Sequence, residues 1–135
     1  MDRNPLPVNY RHPNVDDYEH PLDLVDDALI YISRAISYHI DNLTLYSSTR
    51  FMMASHLLSR AADRMPRKWG STLSYSVGVL RQLADDAEDN PLTYLAPAIM
   101  DAVTPIRLVI IGEPYLGISL KSHRRVDRIR RLLEI

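Results

Sequence analysis

Apolar residues recur at steps of three and four positions after Pro21, the spacing that places side chains on one face of an α-helix. Because proline suits the first position of a helix, we expect the first helix to begin at Pro21. Its main apolar stripe comprises Leu22, Val25, Leu29, Ile32, Ile36 and Leu43. A second stripe beside it comprises Ala28, Tyr31, Ala35 and Tyr38. The combined face is wider than that of an ordinary surface helix, so this helix is either central or shared with another subunit.

Two further helices follow with the same periodicity. The second has its apolar positions at Phe51, Ala54, Leu58, Ala61 and Met65. It is predicted to stop at Pro66, with a cap among Thr44, Ser47 and Ser48. The third has its apolar positions at Leu73, Val77, Leu80, Ala84 and Ala87. Ser71 is the candidate N-cap of this third helix.

Helical spacing continues beyond Pro91, but two prolines interrupt it. The apolar positions there are Leu92, Leu95, Ile99, Val103 and Ile106. Because Pro97 and Pro105 each remove a backbone donor, we expect a kinked or broken helix that ends before Gly112. Residues 106–111 are also short and rich in β-branched side chains, which leaves a short buried strand as an alternative.

The final helix is predicted to start near Ser119 or Ser122 and to bury three residues: Val126, Ile129 and Leu133. Short connections marked by proline and glycine make successive helices antiparallel neighbours. The pattern therefore predicts an all-α fold, a compact bundle of about five helices that forms a single domain over residues 21–135. Residues 1–20 contain three prolines and have no periodicity, so they are predicted to form an extended N-terminal arm.

Composition and the lack of long apolar stretches indicate where in the cell the protein is located. The chain of 135 residues is 46% apolar and 24% charged, which is typical of a soluble globular protein. Its N-terminus is polar and proline-rich and lacks the apolar stretch of a secretory signal. Its longest purely aliphatic run, residues 108–111, is far shorter than the roughly 20 residues of a membrane helix. We therefore expect a cytoplasmic or otherwise intracellular protein with no membrane partner.

Basic residues form a stripe on the last helix, although the formal net charge of the chain is only −1. Lys121, Arg124, Arg128 and Arg131 recur at helical spacing, and Arg125 lies beside them. Such a stripe is solvated, or contacts an acidic protein surface, or binds nucleic acid. The sequence pI of about 6.5 argues against a dedicated nucleic-acid domain, since such domains are usually strongly basic.

A second basic feature surrounds the single tryptophan of the chain. Arg67 and Lys68 precede Trp69 at the turn between the second and third helices. An exposed tryptophan among cations is suited to a binding hot spot or to stacking on a base. Alternatively, Trp69 folds back as a lid on the core.

Acidic residues cluster where the third helix ends. Asp85, Asp86, Glu88 and Asp89 lie at the negative end of the helix dipole, where carboxylates are unfavourable. Their spacing is not that of an EF-hand calcium loop. We interpret the cluster as a docking surface for basic residues, with the last helix of the same chain as one possible occupant.

No motif in the chain identifies a catalytic chemistry, and we predict neither a cofactor nor a metal. The Glu-x-x-His pairs of di-iron bundles, the HExxH motif and glycine-rich phosphate loops are all missing from the sequence. The segments from Arg34 to His39 and from Arg50 to His56 read R-x4-H and R-x5-H. This spacing resembles the R-x4-6-H motif of HEPN ribonucleases, which are small helical dimers, so the resemblance implies an RNA-cleaving alternative. A core or interface role is the ordinary explanation for His39, which continues an apolar stripe.

Together these patterns favour a non-enzymatic regulatory protein that acts by protein–protein contact, with a homodimer as the expected assembly. Fourteen of its sixteen basic residues are arginine and eight of its ten aromatic residues are tyrosine, and both types are enriched at interfaces. The candidate partner-binding residues are Arg67, Lys68, Trp69, Asp85, Asp86, Glu88, Asp89, Lys121, Arg124, Arg125, Arg128 and Arg131. Tyr31 and Tyr38 are the candidates for self-association. The alternative is a nucleic-acid-binding regulator that uses the last helix and the Trp69 turn as one basic surface.

Overall fold

Five α-helices joined by short connections make up the computed structural model, which describes residues 20–112 and 118–134. The helices are α1 (Pro21–Ile40), α2 (Thr44–Asp63), α3 (Arg67–Asp86), α4 (Leu92–Gly112) and α5 (Ile118–Leu133). No strand occurs among these residues. The predicted all-α bundle is confirmed, whereas residues 1–19 of the predicted arm lie outside the described residues.

The first helix is central in the bundle, because α1 packs against α2, α4 and α5. Both of its predicted apolar stripes are used: Leu29 and Ile32 of the first and Ala28 and Ala35 of the second are fully buried. The wide apolar face of α1 is therefore explained by its central position in the bundle. A second subunit is therefore not needed to cover α1.

Local hydrogen bonds set the two ends of α1. Pro21 is its first residue, as predicted, and the Nδ1 atom of His20 accepts a hydrogen bond from the Leu22 N–H at 3.1 Å. The helix ends at a tight turn in which Asn42 has a φ of 64°, a conformation that asparagine tolerates better than most residues. Leu43, predicted to extend the buried stripe, lies beyond this turn and is 42% exposed. That prediction was wrong because the turn interrupts the helical period.

The starts of α2 and α3 also differ from the prediction. No side chain caps α2, which begins at Thr44. The third helix begins at Arg67, directly after Pro66, so Ser71 lies within its second turn rather than at its N-cap. As a consequence, Arg67, Lys68 and Trp69 belong to the first turn of α3 and not to a loop.

The fourth helix is continuous from Leu92 to Gly112 and contains both prolines. Of the expected kinked or broken helix, the break is therefore wrong, and the helix includes Gly112 rather than ending before it; the alternative strand over residues 106–111 is wrong as well. Pro97 and Pro105 deprive the carbonyls of Thr93 and Asp101 of their intrahelical donors, and both of these residues are exposed, where water can satisfy the carbonyls.

By length and composition alone, α4 also qualifies as a membrane-spanning helix, with a mean hydropathy of 1.6. It packs against α1, α3 and α5, and it buries Leu95, Ile99 and Ile106 in the common core. Its exposed side includes Asp101 and Arg107. The core packing accounts for only part of this composition, because 39% of the apolar window is buried and Leu108 and Ile111 are exposed.

The last helix completes the bundle by packing between α1 and α4. Val126 and Ile129 are buried as predicted, while Leu133 is half-buried. Among the described residues, α5 contacts neither α2 nor α3. The outer side of α5 therefore faces away from the part of the bundle where α3 lies.

Candidate docking surface at the end of the third helix

Side chains from α1, α2 and the following turn hold the C-terminal end of α3. The Nε2 atom of His39 lies 3.0 Å from the Ala87 carbonyl oxygen, so this nitrogen carries the proton and donates it. Ser48 donates a hydrogen bond from its hydroxyl to the Ala84 carbonyl. The Asn90 side-chain amide donates to the Asp86 carbonyl at 2.9 Å. These bonds satisfy carbonyls that a helix end leaves without intrahelical partners, and they position the end of α3 beside the α1–α2 turn.

The predicted acidic cluster lies at this rigidly held end. Asp85, Glu88 and Asp89 are exposed, whereas Asp86 is half-buried and accepts a hydrogen bond from the Gln82 amide at 3.1 Å. Within the described residues α3 and α5 do not touch, and the ion pairs of α5 are made with Asp26 rather than with this cluster. The three exposed carboxylates are thus available to a partner.

An exposed apolar turn lies at the same end of the bundle as the acidic cluster. We define it by four residues, with these exposed fractions: Ile40 43%, Leu43 42%, Leu45 63% and Tyr46 53%. The bonds of His39 and Ser48 to the end of α3 bring the acidic cluster and the apolar turn together. This exposed apolar turn was not predicted, although the four large apolar residues around Asp41 and Asn42 in the sequence indicate one.

The basic stripe of α5 is partly engaged within the chain. Arg125 donates a hydrogen bond from Nε to Oδ1 of Asp26 at 2.7 Å, and the Lys121 Nζ lies 4.0 Å from Oδ2 of the same carboxylate. The Ser122 hydroxyl donates to Oδ1 of Asp26 at 3.3 Å. Asp26 itself is only 3% exposed. Two of the predicted partner-binding residues, Lys121 and Arg125, therefore help to hold α5 against α1.

The remaining members of the stripe, Arg124, Arg128 and Arg131, are exposed on the outer side of α5.

Near Asp26, burial raises the pKa of the Asp27 carboxyl above its ordinary value, and the neighbouring carboxylates of Asp26 and Asp23 raise it further. Arg125 and Lys121 act in the opposite direction on the same pKa. The acidic residues of α1 and the basic residues of α5 thus interact with each other, so this part of α5 is not a free basic surface.

Trp69 is half-buried and packs on the end of α4. Its indole lies so close to Gly112 that a β-carbon at position 112 would overlap the ring. Lys68 extends its ammonium over the indole at 4.7 Å from the ring centroid, while Arg67 and Lys68 are both exposed. Of the two interpretations of Trp69, the lid on the core is the one that this packing matches.

Tyr31 and Tyr38, the self-association candidates, lie half-buried on an outer seam between α1 and α2. The rings of Tyr38 and Tyr46 are tilted by 48° with centroids 5.5 Å apart. The Cζ atom of Arg50 lies 5.3 Å from the Tyr38 centroid, and that of Arg34 lies 5.9 Å from the Tyr31 centroid. This seam is aromatic and cationic in character.

The histidines of the two R-x-H segments do not form a site with their arginines. His39 is buried and bonded to Ala87, whereas Arg34 is exposed on another side of the same helix. Arg50 covers Tyr38, whereas His56 points outward from α2. No group of acids and histidines suited to a metal ion occurs among the described residues.

Comparison of the chain with protein-family models, with curated proteins and with solved structures finds no match. The resemblance to HEPN ribonucleases therefore rests on the spacing of two residue pairs alone. What the protein does has to be argued from the chemistry of its own surfaces. The apolar turn with its acidic neighbours is the most distinctive of them.

Proposed function

We propose that this protein is a non-enzymatic interaction protein that docks a basic amphipathic segment of a partner protein. The docking surface is formed by the apolar turn and the three exposed carboxylates of the acidic cluster. The main observation behind the proposal is the exposure of Ile40, Leu43, Leu45 and Tyr46 at the end of the bundle where His39 and Ser48 bond to the segment that carries Asp85, Glu88 and Asp89. Large apolar side chains grouped on a surface and bordered by charge are typical of a protein-binding site.

The two parts of the surface contribute differently to binding. Covering a half-exposed leucine yields about 1 kcal/mol, so the apolar turn supplies most of the affinity. The carboxylates select a cationic partner and accelerate its encounter, an effect that salt weakens. An amphipathic helix with basic residues along the edges of its apolar face matches both requirements.

Rigidity of the surface favours this function further. His39 and Ser48 hold the end of α3 in place before any partner arrives. A surface that is already ordered loses little conformational entropy on binding. The same two contacts explain why an acidic cluster persists at an unfavourable helix end.

The nucleic-acid alternative at the Trp69 turn and the last helix has weaker support. Trp69 covers Gly112, and Lys121 and Arg125 interact with Asp26. A homodimer keeps the arginine and tyrosine content and the half-buried Tyr31 and Tyr38 as its support, but not the wide apolar face of α1, which is packed within the chain.

The proposal is tested by titrating the protein into a fluorescein-labelled amphipathic peptide of leucine and arginine and following the anisotropy. We expect saturable binding that weakens as salt is added, and no binding of a matched peptide with glutamate in place of arginine. The double variant Leu43→Ser, Leu45→Ser and the triple variant Asp85→Asn, Glu88→Gln, Asp89→Asn should each weaken binding about tenfold or more.

Matched controls place the same chemical changes elsewhere on the surface. Leu108→Ser and Leu120→Ser alter exposed leucines of α4 and α5, and Asp63→Asn and Asp127→Asn alter exposed acids of α2 and α5. These variants should bind the peptide as the unmodified protein does. Equal weakening in both sets, or no binding of the peptide at low salt, would refute the proposed docking surface.

A further inference from the structure

A second surface, formed by two arginines and three tyrosines, lies on the outer seam between α1 and α2. Tyr31, Arg34 and Tyr38 follow one another at steps of three and four residues, so they share one side of α1. Tyr46 and Arg50 are four residues apart on α2 and meet them through the Tyr38 ring. We call these five residues the arginine–tyrosine face. Tyr46 belongs to both this face and the apolar turn.

Among residues 20–112 and 118–134, no anionic partner is found for the two arginines of this face. Within the described residues neither Arg34 nor Arg50 makes an ion pair, in contrast to Arg125 and Lys121, which share Asp26. Each guanidinium instead lies near a tyrosine ring, at 5.9 Å from Tyr31 and at 5.3 Å from Tyr38. A guanidinium that interacts with a ring through its face keeps its N–H groups free to donate to an oxyanion.

The chemistry of the face fits a ligand that has both phosphates and planar rings. Guanidinium groups bind phosphate oxygens in a bidentate manner, and tyrosine rings stack on nucleobases whatever their sequence. Tyr46, at 53% exposed, offers the most accessible ring. A duplex hides its bases, whereas a single strand can present both its bases and its phosphates to one surface.

From this arrangement we propose that the arginine–tyrosine face binds single-stranded nucleic acid, with Arg34 and Arg50 on the phosphates and Tyr46 stacked on a base. The site differs from the Trp69 turn and the α5 stripe, and it does not depend on the proposed docking of a basic peptide.

Two carboxylates limit the length of this site. Asp27 lies one turn before Tyr31, and Asp41 lies at the end of α1 one turn after Tyr38. Phosphates beyond the two arginines would be repelled at either end. With two phosphates neutralised on a single strand, the logarithm of the association constant should fall with the logarithm of the salt concentration with a slope of about −1.4.

The test is a titration of the protein into fluorescein-labelled oligothymidylate and oligouridylate at several salt concentrations, followed by anisotropy. The double variant Arg34→Ala, Arg50→Ala should weaken binding by tenfold or more. Arg34→Lys, Arg50→Lys, which keeps the charge but not the planar group, should lose less. Tyr46→Leu should weaken binding, and Tyr46→Phe should retain it because the ring is kept.

The control is Arg81→Ala, Arg107→Ala, which removes two exposed arginines of α3 and α4. This variant should bind the oligonucleotides within twofold of the unmodified protein, and unlabelled duplex of matched length should compete poorly. No binding at low salt, equal competition by duplex, or an equal loss in the control variant would overturn the proposal. Because the docking surface is tested with a peptide and other variants, either proposal can fail without the other.

Discussion

Arg125 donates a hydrogen bond from Nε to Oδ1 of Asp26 at 2.7 Å and so joins the last helix to the first across 99 positions of sequence. The carboxylate is buried, while the arginine side chain is 32% exposed. Ser122 and Lys121 approach the same carboxylate from α5. Asp26, near the start of α1, therefore supplies the polar anchor of α5.

Asp26→Ala should destabilise the protein by about 2 kcal/mol. The substitution leaves Arg125 without its carboxylate partner, and the partial exposure of the arginine keeps the loss below that of a fully buried pair. Chemical denaturation gives the free energy of unfolding. Asp127→Ala, at an exposed position of α5, is the control and should stay within about 0.5 kcal/mol of the unmodified protein. Equal stability of the two variants would show that the Asp26 contact does not anchor α5.

His39→Ala should also cost about 2 kcal/mol, since it removes the donor to the Ala87 carbonyl and leaves a gap among α1 and α3. The same variant should weaken peptide binding, because the acidic cluster loses one of its supports. His56→Ala, on the exposed side of α2, should change neither quantity. A stable His39→Ala variant that binds the peptide normally would contradict the role assigned to this histidine.

Gly112→Ala should displace the indole of Trp69. A β-carbon at position 112 has no room beside the ring, so the ring must move and gain contact with water. The fluorescence of the single tryptophan should shift to longer wavelength, and the free energy of unfolding should fall. Gly78→Ala is the matched control, because nothing lies within 4 Å of a β-carbon there. It should leave the emission unchanged and stabilise α3 by up to about 1 kcal/mol.

Ionisation of Asp27 should lower the stability of the protein as the pH rises, whereas ionisation of a salt-bridged acid raises it. Burial and the carboxylates of Asp26 and Asp23 raise its pKa above 3.8, so the folded state binds this proton more tightly than the unfolded state. The ionised Asp27 thus opposes folding at neutral pH, and this opposition is relieved as the pH falls through the raised pKa and is gone below 3.8.

Asp27→Asn should accordingly raise the free energy of unfolding at neutral pH, and the difference from the unmodified protein should vanish in acid. Denaturation curves at several pH values measure this difference. An NMR titration of the Asp27 carboxyl provides the control, since Asp23→Asn removes one of the carboxylates that raise its pKa and should lower it. A stabilising effect of Asp27→Asn that persists in acid would be inconsistent with this account.

Helices were predictable from the sequence because the periodicity that marks them is local. The apolar stripes of α1 and of α5 contain residues that are indeed buried, such as Ile32 and Ile129. Leu43 was wrongly assigned to the buried stripe of α1 because local helical periodicity does not reveal a turn that ends the helix. Of the kinked or broken helix expected after Pro91, the break does not occur, because the carbonyls that lose their donors to Pro97 and Pro105 lie on exposed residues.

Only one half of the candidate docking surface could be read from the sequence. The acidic cluster was visible because its conflict with the dipole of α3 is local. Its apolar neighbours were not, because the contacts of His39 with Ala87 and of Ser48 with Ala84 link positions 48 and 36 residues apart. The engagement of Arg125 by Asp26 was hidden in the same way, because it links positions 99 residues apart.

Chemical-shift mapping locates the proposed docking surface residue by residue. The ¹⁵N-labelled protein is titrated with the amphipathic leucine–arginine peptide, and the shift of each backbone amide is followed. If the peptide binds the docking surface, the largest changes should fall on residues 40–46 and 85–89 and should saturate together with the anisotropy signal. Changes centred on α4 or α5, or spread evenly over the bundle, would contradict it.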